Sequence, residues 1–421
     1  MEATEAAVRI AALACGATAL KGIIARIGSG RRDEPLMCCG QPMHSHGLKD
    51  KPLLTTLGDV PWARSMFVCD ICAAVRFPGD EELDVVNTTR SPGVRRMMAR
   101  AGSKDTFKDG RDDLKVYAGI DVSPKDVERV AEGIGTSIEA WQCAERPELM
   151  KSAEQEGLLH PKTIPVMYVE YDGTGVPMTQ AELVGRRGKQ EDGSAKTREA
   201  KLGCVFTQTT TDADGFPVRD PGSTTFVGAI ETAEVFGERI YAEALRRGLL
   251  NAQQVVVLGD GAKWIRGIAE HFFPGATQIV DLYHAREHIT DLCKLLFGSN
   301  ENQVTHHRIR WWADLDAGRV EKIVDEARQK TMPTDAKQLK KVENEIDYLH
   351  GNRDRMRYDT FRKRGFFVGS GVVEAGCGSV IGGRLKKSGM EWSERGANAI
   401  IALRCLMYSG RFEDYWESRA A

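Results

Sequence analysis

The spacing of apolar positions changes several times along the chain, and those changes divide it. Residues 6–27, from Ala6 to the Ile23-Ile24-Ala25 run, read as one Ala-rich amphipathic helix for packing or dimerisation. Gly28-Ser29-Gly30 links it to Leu53–Val68, which reads as a β-hairpin turning at Gly58-Asp59. Residues 83–160 return to helical spacing. Ser91-Pro92 opens one helix, and Ser123-Pro124 opens another with Ser123 as cap and Pro124 in the first turn. A short helix, a turn at Gly119 and a capped helix predict a helix-turn-helix-like pair.

Strand patterns follow. Pro165–Asp172 is an apolar, β-prone run, and strict alternation sets Tyr168, Glu170 and Asp172 on one face. Gly173-Thr174-Gly175-Val176-Pro177 reads as a turn. Lys201–Thr207 and Ser223–Val227 predict two further strands, and residues 232–248 an amphipathic helix. Gln254–Leu258 reads as a strand whose Val255–Leu258 are continuously apolar, as a strand covered on both faces requires, and it ends in Gly259-Asp260-Gly261. Thr277–Val280 delivers Asp281 and His284, three apart and so on one helical face. Residues 285–360 are polar and helix-forming. Ser370 then caps a glycine-studded helix carrying Glu374, with Gly376 and Gly378 where something must approach the backbone closely. A Ser393-capped helix with Ala397, Ile400 and Ile401 inward ends the pattern.

Composition changes this picture little. The 421 residues carry a formal charge of −2, so any nucleic-acid contact must come from local basic patches. Candidates are Arg186, Arg187, Lys189, Arg198 and Lys201; Arg362, Lys363 and Arg364, with Tyr358, Phe361, Phe366 and Phe367 interleaved for base stacking; and Arg384, Lys386 and Lys387. Glu2 and Glu5 stand where a signal peptide would be basic, and the Ile10–Leu20 run is short for a membrane span. A cytoplasmic setting with no membrane is therefore expected, where clustered cysteines favour metal over disulfides. Cys69-x-x-Cys72 is a metal knuckle. Its partner knuckle holds Cys39, but Leu36 stands three before it, so Cys38, His44 or His46 must supply the fourth zinc ligand.

Asp172 and Asp260 end strands, and Glu374 lies on a late helix beyond an insertion. Converging carboxylates of this kind suit two Mg²⁺ (or Mn²⁺) ions, which are hard and take oxygen ligands. The segments Tyr168–Pro177, Lys196–Gly203, Ser223–Gly228, Leu258–Ala262, Val280–His288 and Gly369–Trp392 closely resemble bacterial insertion-sequence transposases of the ISKra type.

That resemblance implies an α/β fold: an RNase H-like catalytic core with a helical insertion, preceded by a small zinc-ribbon-like hairpin and a helix-turn-helix-like region. Asp172, Asp260 and Glu374 match its three metal-binding acids, and Asp281 and His284 a pair near the active site. The domains expected are 1–30, an N-terminal helix; 31–82, zinc-ribbon-like; 83–160, DNA-binding; 161–299, core; 300–364, insertion; and 365–421, core helices. The implied function is a nucleoid-associated DDE transposase that cuts transposon terminal inverted repeats and joins them to target DNA as a dimer or larger assembly. The alternatives are a transposase-derived DNA-binding protein that no longer cuts, or an RNase H-like nuclease. A phosphate-binding enzyme built on Gly259-Asp260-Gly261 lacks a Gly-rich loop with Lys.

Overall fold

The structure, a computed structural model, describes all residues except 33, 157–162, 189, 191, 192 and 421. Lys189 and the boundary at 160/161 therefore lie outside the described residues. The chain divides into two compact units, 1–134 and 135–421, the boundary in sequence falling inside the helix Pro124–Glu156.

The first unit opens with the helix Glu2–Ile27, about one turn longer at its start than the stretch 6–27 read from the sequence. By length and composition it could cross a membrane. Ala17, Leu20 and Ile24 pack it onto Leu53, Val60, Trp62 and Val85. A small ladder joins β1 (Met37–Cys38) to β2 (Gln41–Pro42). A three-stranded antiparallel sheet follows: β3 (His44–Thr55), β4 (Gly58–Val68) and β5 (Val75–Arg76). The hairpin turns at Thr56-Leu57, not at Gly58-Asp59, because Thr55 pairs with Gly58. The Thr55 hydroxyl fixes that turn, donating to the Gly58 carbonyl at 2.7 Å and accepting from Leu57 N at 3.2 Å. The helix Pro92–Lys104 and the start of Pro124–Glu156 share a core of Val94, Met98, Leu114, Ile120, Val122 and Val127.

The second unit is mixed α/β. Its five-stranded sheet is built from β6 (Ile164–Pro177), β7 (Thr197–Gln208), β10 (Thr225–Ala229), β11 (Ala252–Gly259) and β12 (Thr277–Val280), in the order β10-β7-β6-β11-β12. The first three strands in sequence are antiparallel neighbours, and β11 and β12 run parallel to β6. A two-residue ladder, β8 (Thr210–Thr211) with β9 (Pro217–Val218), lies outside it. The expected turn at Gly173–Pro177 is instead a continuation of β6. A Cβ at Gly173 or Gly175 would strike the side chains of Glu199 or Thr197 on β7, so glycine here makes room for the neighbouring strand.

Alternation along β6 sorts its side chains. Met167, Val169 and Tyr171 join Val205, Val257, Phe236 and Ile268 beneath the helices Ala233–Arg246 and Lys263–Phe272. Tyr168 faces the other way, stacked on Phe206 at 4.9 Å with Phe367 edge-on. The expected glycine-rich helix crosses that second face, but not as one α-helix. It runs Gly371–Gly376, a wider π turn Cys377–Gly382, then Gly383–Leu385. Gly376 presses directly on the sheet, since a Cβ there would meet Phe226 at 2.6 Å. Between β12 and this segment stand the helices Leu282–Phe297, Glu301–Asp316, Val320–Arg328, Ala336–Asn352 and Tyr358–Lys363.

Candidate active site

Asp172 and Asp260 come from adjacent parallel strands. Leu258 pairs with Glu170, so two residues further on the register sets Asp260 beside Asp172. Burial, then the charge of Asp260, pushes the Asp172 carboxyl above its ordinary value, although Gly173 N–H donates to it at 2.6 Å. The Cys377 thiol points at its other oxygen at 3.7 Å. Burial pushes that thiol up, so it stays neutral and can donate. Asp260 closes its own turn by accepting from Ala262 N at 2.8 Å.

Asp281 connects this pair to Glu374. Its backbone N–H donates to the Gly259 carbonyl at 2.8 Å, just before Asp260. Its fully buried carboxylate accepts from His284 N at 2.8 Å, His284 Nδ1 at 3.2 Å and Ser370 N at 2.6 Å. The Ser370 hydroxyl lies 3.0 Å from Asp281 and 2.8 Å from Glu374 Oε1, and its single proton serves one or the other. Ser370 thus heads the helix without the side-chain cap its sequence suggests; its hydroxyl points to the two acids instead. Burial alone would raise Asp281, but hydrogen bonds from His284 and Ser370 outweigh it and hold the group down. The same bond to Asp281 pushes His284 up to about 9, helped by the charges of Asp281, Asp260 and Glu287. His284 is therefore an imidazolium at neutral pH, 3.9 Å from the exposed Glu374.

Ligand atoms of Asp281, His284 and Glu374 lie within 4.8 Å of one another, so this group could hold a metal ion. Neither Asp172 nor Asp260 is part of that tight group. The Asp281 oxygens already accept from His284 and Ser370. The three acids expected from the sequence, Asp172, Asp260 and Glu374, are not among the groups of described residues whose ligand atoms all lie within 4.8 Å of one another. Hard oxygen donors with a raised Asp172 suit a hard divalent cation.

Two supports were not assigned from sequence. Glu170 is wholly buried on the Asp172 face and accepts from Val373 N at 3.0 Å, next to Glu374. Burial pushes it up to about 8, with the charges of Asp281 and Glu374 adding to the effect. Alternation had set it on this face, but its partner lies 203 residues on. Tyr348, from the helix Ala336–Asn352, donates to the Asp260 carbonyl at 2.6 Å and covers Gly261, where φ is +83°. Its ring stacks on His288 at 3.6 Å, and His288 is held by Glu345 at 2.6 Å.

The basic residues divide. Arg186, Arg187, Arg362, Lys363, Arg364 and Lys386 are exposed. Arg384 is fully buried beside Met390 and Trp392, and Lys201 is nearly so, bound to Glu199 and the Glu231 carbonyl. Neither offers charge to a DNA surface. Arg198 is neutralised by Glu394 and Glu182. Lys387 is half-buried. Tyr358, Phe361 and Phe366 are core residues, and Phe367 packs on Tyr168, so the interleaved aromatics build the fold and do not face bases.

In the first unit, Cys38, Cys39, Cys69 and Cys72 bring their sulfurs within 4.8 Å of one another. Cys38 Sγ lies 3.6 Å from Cys72 and 3.9 Å from Cys39. Zn–S bonds of ~2.3 Å in a tetrahedron imply sulfurs about 3.8 Å apart. Of the candidates for a fourth ligand, Cys38 fills the position, while His44 pairs with Asp70 at 3.0 Å. Positive φ at Cys39 and Gly40 forms the tight turn that aims two adjacent thiols inward. Backbone N–H groups of Cys72 and Ile71 lower Cys69 to about 7, while hydrogen bonding to Cys72 and Cys69 pushes Cys38 up to about 12. Four clustered thiols can ionise together only around a cation, so the cluster fits zinc.

Two outcomes are expected. Purified protein should contain one equivalent of zinc, and Cys69→Ser or Cys72→Ser should lose it; a metal-free wild type by elemental analysis would remove the zinc site. Tyr348→Phe keeps the ring over Gly261 but leaves the Asp260 carbonyl unpaired, costing about 1 kcal/mol in urea unfolding. An unchanged midpoint would mean that the hydroxyl does not hold the Asp260 turn.

The description of an uncharacterised protein family, UPF0236, matches residues 241–418. No curated protein matches the chain. Among solved structures, the Drosophila P element transposase strand transfer complex is similar over 77% of this chain and 80% of that chain, at 10% identity and a TM-score of 0.24. At that score the likeness assigns neither fold nor role.

Proposed function

We propose that this chain is a DDE transposase of the ISKra type, with an RNase H-like core. The observation that carries the reading is that Asp281, whose N–H bonds Gly259 beside Asp260, also holds Ser370 and through it Glu374, while Cys377 of the same segment faces Asp172. The strand order supports it. Numbered by appearance it is 3-2-1-4-5, with acids on the first and fourth strands and a third on a late helix. The quoted motifs from residue 168 onward support the same family.

Asp172, Asp260 and Glu374 would hold two Mg²⁺ or Mn²⁺ ions, which when bound activate a nucleophile and stabilise the leaving oxygen. The protein's part is positioning and charge. His284 sets a cation beside the acids, suited to a phosphate oxygen. Cys377 and Gly173 orient Asp172, and Tyr348 holds the Asp260 turn. First, water oxygen bonds to phosphorus while the bond to the 3′ oxygen breaks, and that oxygen takes a proton. The freed 3′ hydroxyl then bonds to a target phosphorus, loses its proton and displaces the target's 3′ oxygen. No covalent enzyme intermediate forms. The zinc-bound hairpin and the helices of 83–160 bind terminal repeats, and the exposed Arg186, Arg187, Arg362, Lys363, Arg364 and Lys386 track the phosphate backbone. Joining two ends requires a dimer or larger assembly, acting on cytoplasmic, nucleoid DNA.

The test uses the full chain, Mg²⁺ and a plasmid carrying its coding region with flanking DNA. Cleavage leaving 3′ hydroxyls and joined products are expected, and Asp260→Asn should lose at least about a hundredfold in rate while binding DNA within a few-fold. Tight binding without cutting would leave a DNA-binding protein. Nicks without joined products would leave a nuclease.

A further inference from the structure

Three aromatic rings of the second unit stand out as exposed: Phe216 at 62%, Tyr283 at 64% and Tyr408 at 47%. Phe216 belongs to the small β8–β9 turn, where its N–H and carbonyl bond Asp212. Tyr408 has Arg404 against its ring. Tyr283 alone of these stands between Asp281 and His284, at the rim of the acids.

Its backbone is pinned on both sides. Leu282 N donates to the Val368 carbonyl at 2.9 Å, and the Asp281 carboxylate receives both His284 N and Ser370 N. Between Val368 and Ser370 lies Gly369, directly beside the ring; a Cβ there would meet Tyr283 Cε2 at 3.2 Å. One edge of the ring therefore rests against bare backbone while most of it faces solvent. The fold gains little from this exposure, since the neighbouring contacts are made by other residues. A fixed aromatic with only two side-chain torsions loses little entropy when a flat partner covers it.

We propose that Tyr283 is a stacking platform for an unpaired base flanking the phosphate at the acid site. This rests on the reading of that site as one that handles nucleic acid. A paired base hides both its faces in the duplex stack, so the ligand is a nucleotide that is frayed, flipped out or single-stranded. Sequence had assigned stacking to Tyr358, Phe361, Phe366 and Phe367, and their burial leaves that task to a residue on the opposite side of the insertion.

The test is fluorescence anisotropy of the full chain with a labelled duplex, either fully paired or frayed at one end. Wild type should prefer the frayed duplex by roughly tenfold. Tyr283→Ala should abolish the preference, and Tyr283→Phe should keep it within about twofold, because the ring and not the hydroxyl stacks. Circular dichroism checks that each variant is folded. No preference in wild type, a preference kept by Tyr283→Ala, or a loss in Tyr283→Phe equal to that in Tyr283→Ala would each overturn the proposal. A ring-dependent preference in a wild type that never cuts DNA would sink the cleavage reading and leave the platform standing.

Discussion

One buried carboxylate holds the second unit's chemistry together. Asp281 sits where β12 gives way to a helix, and its side chain caps that helix, grips the His284 ring and takes the N–H of Ser370, 89 residues later. Its own N–H is tied to the residue before Asp260. Charge-assisted bonds of this kind contribute about 1.5–3 kcal/mol each. They act together with the Val373–Glu170 bond and the close contact of Gly376 with Phe226 in seating the Glu374 segment. Asp281, His284 and Glu374 bring their ligand atoms within 4.8 Å of one another, so the same contacts that fasten the segment also form a group that could hold a metal ion.

Gathering acids has a cost, and the surroundings show how it is met. Asp172 is raised by burial and by Asp260, and Glu170 is raised far enough to stay neutral. The Cys377 thiol and the Gly173 N–H face Asp172 and the Val373 N–H faces Glu170, while His284 is the charged neighbour of Asp281 and Glu374. Tyr348 acts from the helical insertion, pressing on Gly261 and bonding the Asp260 carbonyl. The insertion therefore supports the core's acid turn as well as extending the chain's surface.

The sequence made visible those features set by local pattern. The apolar run Val255–Leu258 ending in Gly-Asp-Gly is β11 and its turn, and residues 232–248 match the helix Ala233–Arg246. Local pattern misled where a distant residue decides. Gly173 and Gly175 signal a turn by themselves, but Glu199 and Thr197 on β7 make them a strand. Arg384 reads as surface charge, yet Met390 and Trp392 enclose it. Aromatics among arginines resemble a stacking patch, yet the Tyr358 hydroxyl bonds the Val280 carbonyl in the core. Single-sequence spacing cannot register partners such as Glu170 with Val373, or Tyr348 with Asp260, because they meet only after the sheet and insertion have formed.

The most direct test is a crystal of the full chain soaked in Mn²⁺ and measured by anomalous scattering. The account predicts a manganese peak bounded by carboxylate oxygens of Asp172, Asp260 and Glu374, with Asp281 still bonded to His284 and Ser370. A peak coordinated by Asp281 and His284, or no peak among the three acids at saturating metal, would contradict it.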